Sequence, residues 1–279
     1  MPARRLAVLT ARPVECLKID THDDGLILIG STAFNDPLLL GGQAARAGLS
    51  CASCHRSGQG NPDFNFPGLS STPGSADVTA SLMSSHRGDG VFNPKPIPDL
   101  THDNPKISRD PTKLDLVNFL VGLITKEFDG APPPPQIIDG IAAYVRALDP
   151  AACKGRITAP FRLENAISGY VTALMATSAA LELDDRQTAI AMLRGARSAL
   201  AVIDARYQEP GLENARNQLS KTDIALQALQ QALRTGTSTN SAQTSISDLR
   251  SGLNTWSPLL AKAQSRSLFN PKILAKYLR

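Results

Sequence analysis

The stretch "LSCASCHRSG", residues 49–58, places Cys51, Cys54 and His55 within five positions of a chain that has only four cysteines and four histidines in 279 residues. Two thiols two residues apart, followed at once by an imidazole, suit haem attachment: the thiols can form thioethers with the two vinyl groups, and the imidazole falls on the iron as proximal ligand. Two other chemistries use a Cys-x-x-Cys pair. A redox dithiol wants a thioredoxin-like βαβ setting, and a zinc site wants a second Cys or His pair. Cys16 and Cys153 each stand alone, and His86 and His102 lack zinc-type spacing. The motif therefore predicts one covalent haem c held by Cys51, Cys54 and His55.

The flanks are punctuated by proline and glycine up to about Pro150, in "NPDFNFPG", "STPGS", "GDGVFNPKPIP" and "DGAPPPP", which calls for short helices joined by shaped loops. "QAARAGLSCASCH" reads as a helix entering the motif, and "SADVTASLMSSH" as a second helix opened by a Ser or Asp cap. "DPTKLDLVNFLVGLITKEF" is a third, with Leu114, Val117, Leu120, Val121 and Ile124 on one face. "PPQIIDGIAAYVRAL" is a fourth, with Ile137, Ile141, Tyr144, Val145 and Leu148. So loop-rich a domain has little core of its own, and haem would supply much of the missing apolar surface.

Beyond "DPAACKGRITAP" the pattern changes. Apart from single polar interruptions such as Thr177 and Thr222, apolar residues recur at steps of three and four: Leu163, Ile167, Tyr170, Leu174 and Leu181, then Ala189, Leu193, Ala196, Leu200, Ile203 and Tyr207. The seam continues at Leu212, Ala215, Leu219, Leu226, Leu229 and Leu233, and at Ala242, Ile246, Leu249, Leu253, Trp256, Leu260 and Ala263. Four helices joined by the short links "LELDD", "YQEPG" and "TGTSTNSA" predict an antiparallel four-helix bundle. The fold class is thus all-α, a cytochrome c-like haem domain over 1–158 and a bundle over 159–279. No histidine follows His102, so the bundle lacks the Glu-x-x-His pairs of a di-metal core.

Hydrophobic residues make up 42% of the chain and charged ones 19%, an ordinary globular balance, and no apolar run reaches membrane-spanning length. Haem attached through this motif is installed outside the cytoplasm, which predicts a periplasmic or otherwise exported protein. The opening "MPARRLAVLTARPVECLKID" is too short in its apolar stretch for a secretory signal, so the signal was removed or the start is misplaced. In an oxidising space Cys16 and Cys153 could clamp the two ends of the haem region; two buried free thiols are the alternative. The net charge is +4, and after Asp248 no acid occurs while Arg250, Lys262, Arg266, Lys272, Lys276 and Arg279 remain. A solvated helix face accounts for this, and docking to an acidic partner or an anionic membrane surface is the sharper reading. Aromatic residues are too sparse to interleave with the basic positions, and no zinc module occurs, so nucleic acid is not an expected partner.

Residues from about Gly25 to Leu148 resemble the bacterial cytochrome c peroxidase and MauG family. The likeness rests on "IGSTAFNDPLLLGGQAARAGLSCASCH", on "GDGVFNPKPIPDL", similar to that family's Phe-x-x-Pro-x-Leu stretch, and on "DLVNFLVGLITKEFDG" with "IIDGIAAYVRAL", similar to its closing helices. Cys51, Cys54 and His55 are the residues this resemblance carries over. The peroxidases of the family have two haem motifs, whereas this chain has one. It has "PKISRDPTKL" where they commonly show a Tyr-Met-His-Asp-Gly-like segment. The expectation is therefore an electron carrier between redox protein partners, with no catalytic residue assigned. A peroxidase-like enzyme with an open sixth coordination site is the alternative. A carrier needs a second axial ligand, and His102 ranks before Met83, the latter on an expected helix where core packing is its commoner role. His86, at that helix's end, would merely cap it.

Overall fold

A computed structural model describes residues 2–18, 24–79, 82–86, 88–102, 105–153 and 158–278. Helix accounts for 60% of the chain and strand for 7%, so the protein is mainly α-helical. It divides into two compact units, residues 13–157 and residues 1–12 together with 158–279.

The chain opens with α1 (Pro2–Thr10) and β1 (Ala11–Pro13). The 13–157 unit then holds α2 (Asp24–Phe34), α3 (Gly42–Arg46), α4 (Cys51–Cys54), the two-residue strands β2 (His55–Arg56), β3 (Gln59–Gly60), β4 (Ser75–Ala76) and β5 (Lys95–Pro96), α5 (Asp115–Gly122) and α6 (Pro135–Ala147). β6 (Thr158–Pro160), paired with β1, leads into α7 (Leu163–Glu182), α8 (Arg186–Asp204), α9 (Glu213–Arg234), α10 (Thr239–Ser251), α11 (Leu253–Ala263) and α12 (Pro271–Leu274).

The 13–157 unit is organised by α2 lying across α6. The crossing is at Gly30 and Gly140: a Cβ on Gly140 would sit 2.9 Å from the Gly30 nitrogen and from the Leu26 oxygen, so only glycine lets these backbones meet. Ile29, Ala33, Phe34, Ile137, Ile141 and Tyr144 close over the contact from both helices and are all buried.

Three helix expectations change here. The helix expected over "QAARAGLSCASCH" breaks into α3 and α4, with Gly48 at a φ of 69° between them. Among the described residues of 75–86 there is no helix, because the side chains meant to cap it bond locally. Asp77 Oδ1 accepts from Thr79 N at 3.0 Å and from Thr79 Oγ1 at 2.8 Å, while its Oδ2 accepts from Asn93 N at 2.9 Å. Such local bonds compete with the helical ladder. The third expected helix begins only at Asp115, and from Leu123 to Glu127 it widens into a π turn. It buries Leu116, Leu120 and Ile124, a strict four-residue step, and leaves Leu114 67% and Val121 38% exposed.

In the second unit the expected seam is buried at every position except Ile167 and Leu253, which are half-buried. The fourth expected helix is two helices, α10 and α11, divided at Gly252. Glycine weakens the helix there, and Pro258 supplies no N–H in the following turns. Polar bonds pin the pairing: Arg197 Nε donates to Asp223 Oδ1 at 2.7 Å between α8 and α9, and Gln243 Nε2 donates to Ser178 O at 3.1 Å between α10 and α7.

The opening residues belong with this unit and not with the 13–157 unit that follows them. Phe161 N donates to Thr10 O at 2.7 Å, Arg206 Nη2 to Leu9 O at 3.0 Å, and the Arg12 guanidinium stacks 3.7 Å above the Phe161 ring. Cation–π stacking and charge-assisted bonds to carbonyls work between segments remote in sequence, so no local pattern announces them.

Candidate functional site around Cys51, Cys54 and His55

α4 is a single turn capped at Ser50, whose N–H donates to Ser53 Oγ at 3.0 Å, a reciprocal arrangement that closes the first turn. The turn sets Cys51 and Cys54 on one side, and His55 ends it, its N–H returning to Cys51 O. The chain then reverses through Ser57 and Gly58, with φ of 52° and 77°, so that β2 pairs with β3 and His55 faces Gly60. Asn61 locks the reversal: its N–H donates to Cys54 O at 2.8 Å and its Nδ2 to Ser53 O at 2.8 Å.

His55 Nδ1 lies 3.0 Å from the carbonyl oxygen of Pro98. A carbonyl only accepts, so Nδ1 carries the proton and the Nε2 lone pair is left to coordinate. The loop that presents Pro98 is itself held, with Ile97 N donating to Gly74 O at 2.9 Å and Leu100 N to Gly58 O at 2.8 Å. Gly60 permits this approach, since a Cβ there would stand 2.7 Å from Ile97 O. Surrounding protein withdraws water from the imidazole and lowers its pKa to about 4, against the raising effect of the Pro98 bond. His55 is therefore neutral at neutral pH, the form that binds metal.

Both motif cysteines are free thiols. Desolvation raises each pKa to about 12, with the neighbouring Cys54 adding to the effect on Cys51. They remain protonated at neutral pH, the reverse of the low-pKa thiol of a redox dithiol. Cys51, Cys54 and His55 are each half-buried.

Behind the motif, the Phe34 ring lies 6.4 Å from the His55 ring and 5.0 Å from the Tyr144 ring. The Tyr144 hydroxyl donates to Glu15. Desolvation by the surrounding protein raises the Glu15 pKa in spite of the Tyr144 bond. Next to it, Cys16 and Cys153 have their sulfurs at bonding distance, 2.09 Å, with Cα atoms 5.4 Å apart. Lys18 N donates to Ala147 O at 2.8 Å and Asp149 N to Cys16 O at 3.0 Å, which ties the segment before α2 to the end of α6.

The remaining expected residues sit elsewhere along the chain. Met83 is 1% exposed in a non-helical segment, and the two residues after it are held where Ser84 Oγ donates to Lys126 O at 2.6 Å and Ser85 N to Asp129 Oδ1 at 2.8 Å. His86 caps no helix; it is exposed, 4.0 Å from Asp129. His102 is exposed, two residues beyond Leu100. Among the described residues no three His, Cys, Asp or Glu side chains gather as a metal-binding group. Pro98, Phe34 and Glu15 have no role assigned from sequence, and Tyr144 only a place on the buried face of α6. Pro98 acts through a backbone carbonyl, which every residue has, whereas "PKPIP" as a rigid loop after the motif was the one available signal.

Comparison with family models, curated proteins and solved structures finds no match for this chain.

Proposed function

We propose that this chain is a c-type cytochrome of an exported, oxidising compartment such as the periplasm, related to the cytochrome c peroxidase and MauG family, which passes electrons between redox proteins. The observation that carries the reading is the His55 Nδ1 bond to Pro98 O, 3.0 Å long, on a ring kept neutral by desolvation. It orients the imidazole and raises its donor strength at Nε2, the usual arrangement of a metal-ligating histidine. Cys51 and Cys54 offer two thiols on one helical turn for thioether attachment. Haem so held supplies reversible one-electron exchange at iron. For the sixth axial position we assign His102 ahead of Met83, because His102 is exposed while Met83 is packed in the core.

We read α7, α8, α9 and the broken α10–α11 pair as an antiparallel four-helix bundle that docks the cytochrome to its partner. Arg250, Lys262, Arg266, Lys272 and Lys276 are all exposed, which suits an acidic partner or an anionic surface; Arg279 lies outside the described residues. Such docking should weaken steeply as salt rises.

The test is the protein made in an exporting host with haem maturation. A mass gain of one haem and a low-spin spectrum that resists cyanide are expected, with His55→Ala losing the proximal coordination. His102→Ala should alter the reduced spectrum; if it does not, the His102 assignment fails. A high-spin, cyanide-binding spectrum would instead favour the peroxidase-like enzyme. Colourless protein with the mass of the bare chain would end the cytochrome reading.

A further inference from the structure

The Pro98 carbonyl meets His55 Nδ1, yet Pro98 has little by which to be held itself. It is exposed, so packing does not fix it, and proline has no N–H to donate. Its carbonyl is therefore placed by the residues on either side. Ile97 N donates to Gly74 O at 2.9 Å, and Leu100 N donates to Gly58 O at 2.8 Å. Asp99 Oδ1 accepts from Thr101 N at 2.8 Å and from Thr101 Oγ1 at 2.6 Å, a local turn that contains Leu100.

A further hold comes from a side chain outside this loop. Arg109 Nη2 donates to the Leu100 carbonyl, so Leu100 is gripped at its oxygen as well as at its N–H. Arg109 is half-buried and is itself seated, its own carbonyl accepting from Arg146 Nε at 2.9 Å. Arg146 belongs to α6, the helix whose Tyr144 ring lies 5.0 Å from the Phe34 ring beside His55. A guanidinium is charged at every accessible pH, and a charged donor makes a hydrogen bond roughly twice as strong as a neutral one. A continuous path of bonds thus runs from α6 through Arg146, Arg109 and Leu100 to the carbonyl that orients the imidazole.

We propose that Arg109 is a positioning residue for the axial imidazole, a role that rests on the cytochrome reading: by holding the Leu100 carbonyl it keeps the Pro98 carbonyl on His55 Nδ1 and so keeps the potential of the iron low. A carbonyl accepting from Nδ1 increases electron donation at Nε2, which favours ferric iron. Release of the clamp lets Pro98 draw back, and the potential rises. The charge of Arg109 acts in the opposite sense. A cation near the iron disfavours the ferric state, so removing that charge alone lowers the potential. The sign of the shift separates the two roles.

The haem-loaded full-length protein is compared with Arg109→Met, which keeps an apolar stem and loses charge and donors, and with Arg109→Lys, which keeps the charge and a donor without the planar fork. Redox titration gives the potential, and proton NMR of the ferrous state gives the position and solvent exchange of the His55 Nδ1–H resonance. Arg109→Met should shift the equilibrium about tenfold toward ferrous iron, a rise of about 59 mV for one electron. Its Nδ1–H resonance should move upfield and exchange about tenfold faster. Arg109→Lys should fall between it and the wild type on both readouts. A merely structural role would lower the unfolding midpoint of Arg109→Met and leave the potential and the Nδ1–H resonance in place, which overturns the proposal. A lower potential in Arg109→Met with Arg109→Lys unchanged also overturns it, in favour of the charge alone. Should Arg109→Met fail to hold haem, Arg109→Lys decides, since Nδ1–H exchange equal to that of the wild type refutes the clamp. Wild-type protein without haem ends the cytochrome reading itself, whereas haem-loaded wild type beside an indifferent Arg109→Met overturns the positioning role alone.

Discussion

In the unit built from α7 to α11, side chains chosen by three- and four-residue steps are almost all out of water. In the 13–157 unit, Val91, Phe92 and Leu114 stay 57%, 56% and 67% exposed, and the apolar face expected for α5 is rotated from the one that packs. Long helices average their periodic signal over many turns, so the buried face is decided before any partner arrives. Short elements have no such averaging. Their course is settled by Asp77, Asn61 and Ser75 bonding to nearby backbone, by the Pro98 carbonyl on His55, and by the Cys16–Cys153 pair.

That contrast can be broken by experiment. Replacing Cys16 and Cys153 by serine opens a closure spanning 137 residues and should cost about 4 kcal/mol. The loss should appear as faster hydrogen exchange in α6 and leave α8 unchanged; equal loss in both would mean that the units do not differ as described. Leu193→Ala, at a position with 0% exposure in α8, should cost about 3 kcal/mol through the cavity it leaves, with the opposite distribution of exchange. Gly30→Ala drives a methyl group into the Gly140 carbonyl and should cost about 2 kcal/mol, read as a lower urea midpoint for the 13–157 unit.

The smallest effect is expected from pH. The Ser85 backbone N–H and hydroxyl both donate to Asp129, at 2.8 Å each, and hold its carboxyl below the usual carboxylate range. A depressed carboxylate contributes stability that is present above its unfolded pKa and lost as pH falls through the folded one. Exchange of the Ser85 amide should therefore accelerate only below roughly pH 4, and Asp129→Asn should remove the step. Persistence of the step in that variant would place its origin elsewhere.

The spacing of Cys51, Cys54 and His55, the seams of α7 to α11 and the change of pattern near Pro150 are properties of neighbours along the chain, and each was legible because its chemistry is local. α6 could be read for the same reason, its five expected residues all being buried. The failures were of another kind. The 75–86 segment has a helical pattern of apolar residues, but side-chain bonds that include Asn93, sixteen positions from Asp77, outweigh it. Met83, His86 and His102 could be ranked by type and setting but not located.

By itself, then, the order of residues determined the helical character of this protein, the face each long helix buries and the clustering of two thiols with one imidazole. The tertiary structure alone decided that a proline carbonyl tethers that imidazole, that two glycines let α2 and α6 meet, and that the first twelve residues join the later helices. Those choices depend on groups brought together from distant positions, and backbone carbonyls, glycines and guanidinium stacking leave no periodic mark by which one partner foretells the other.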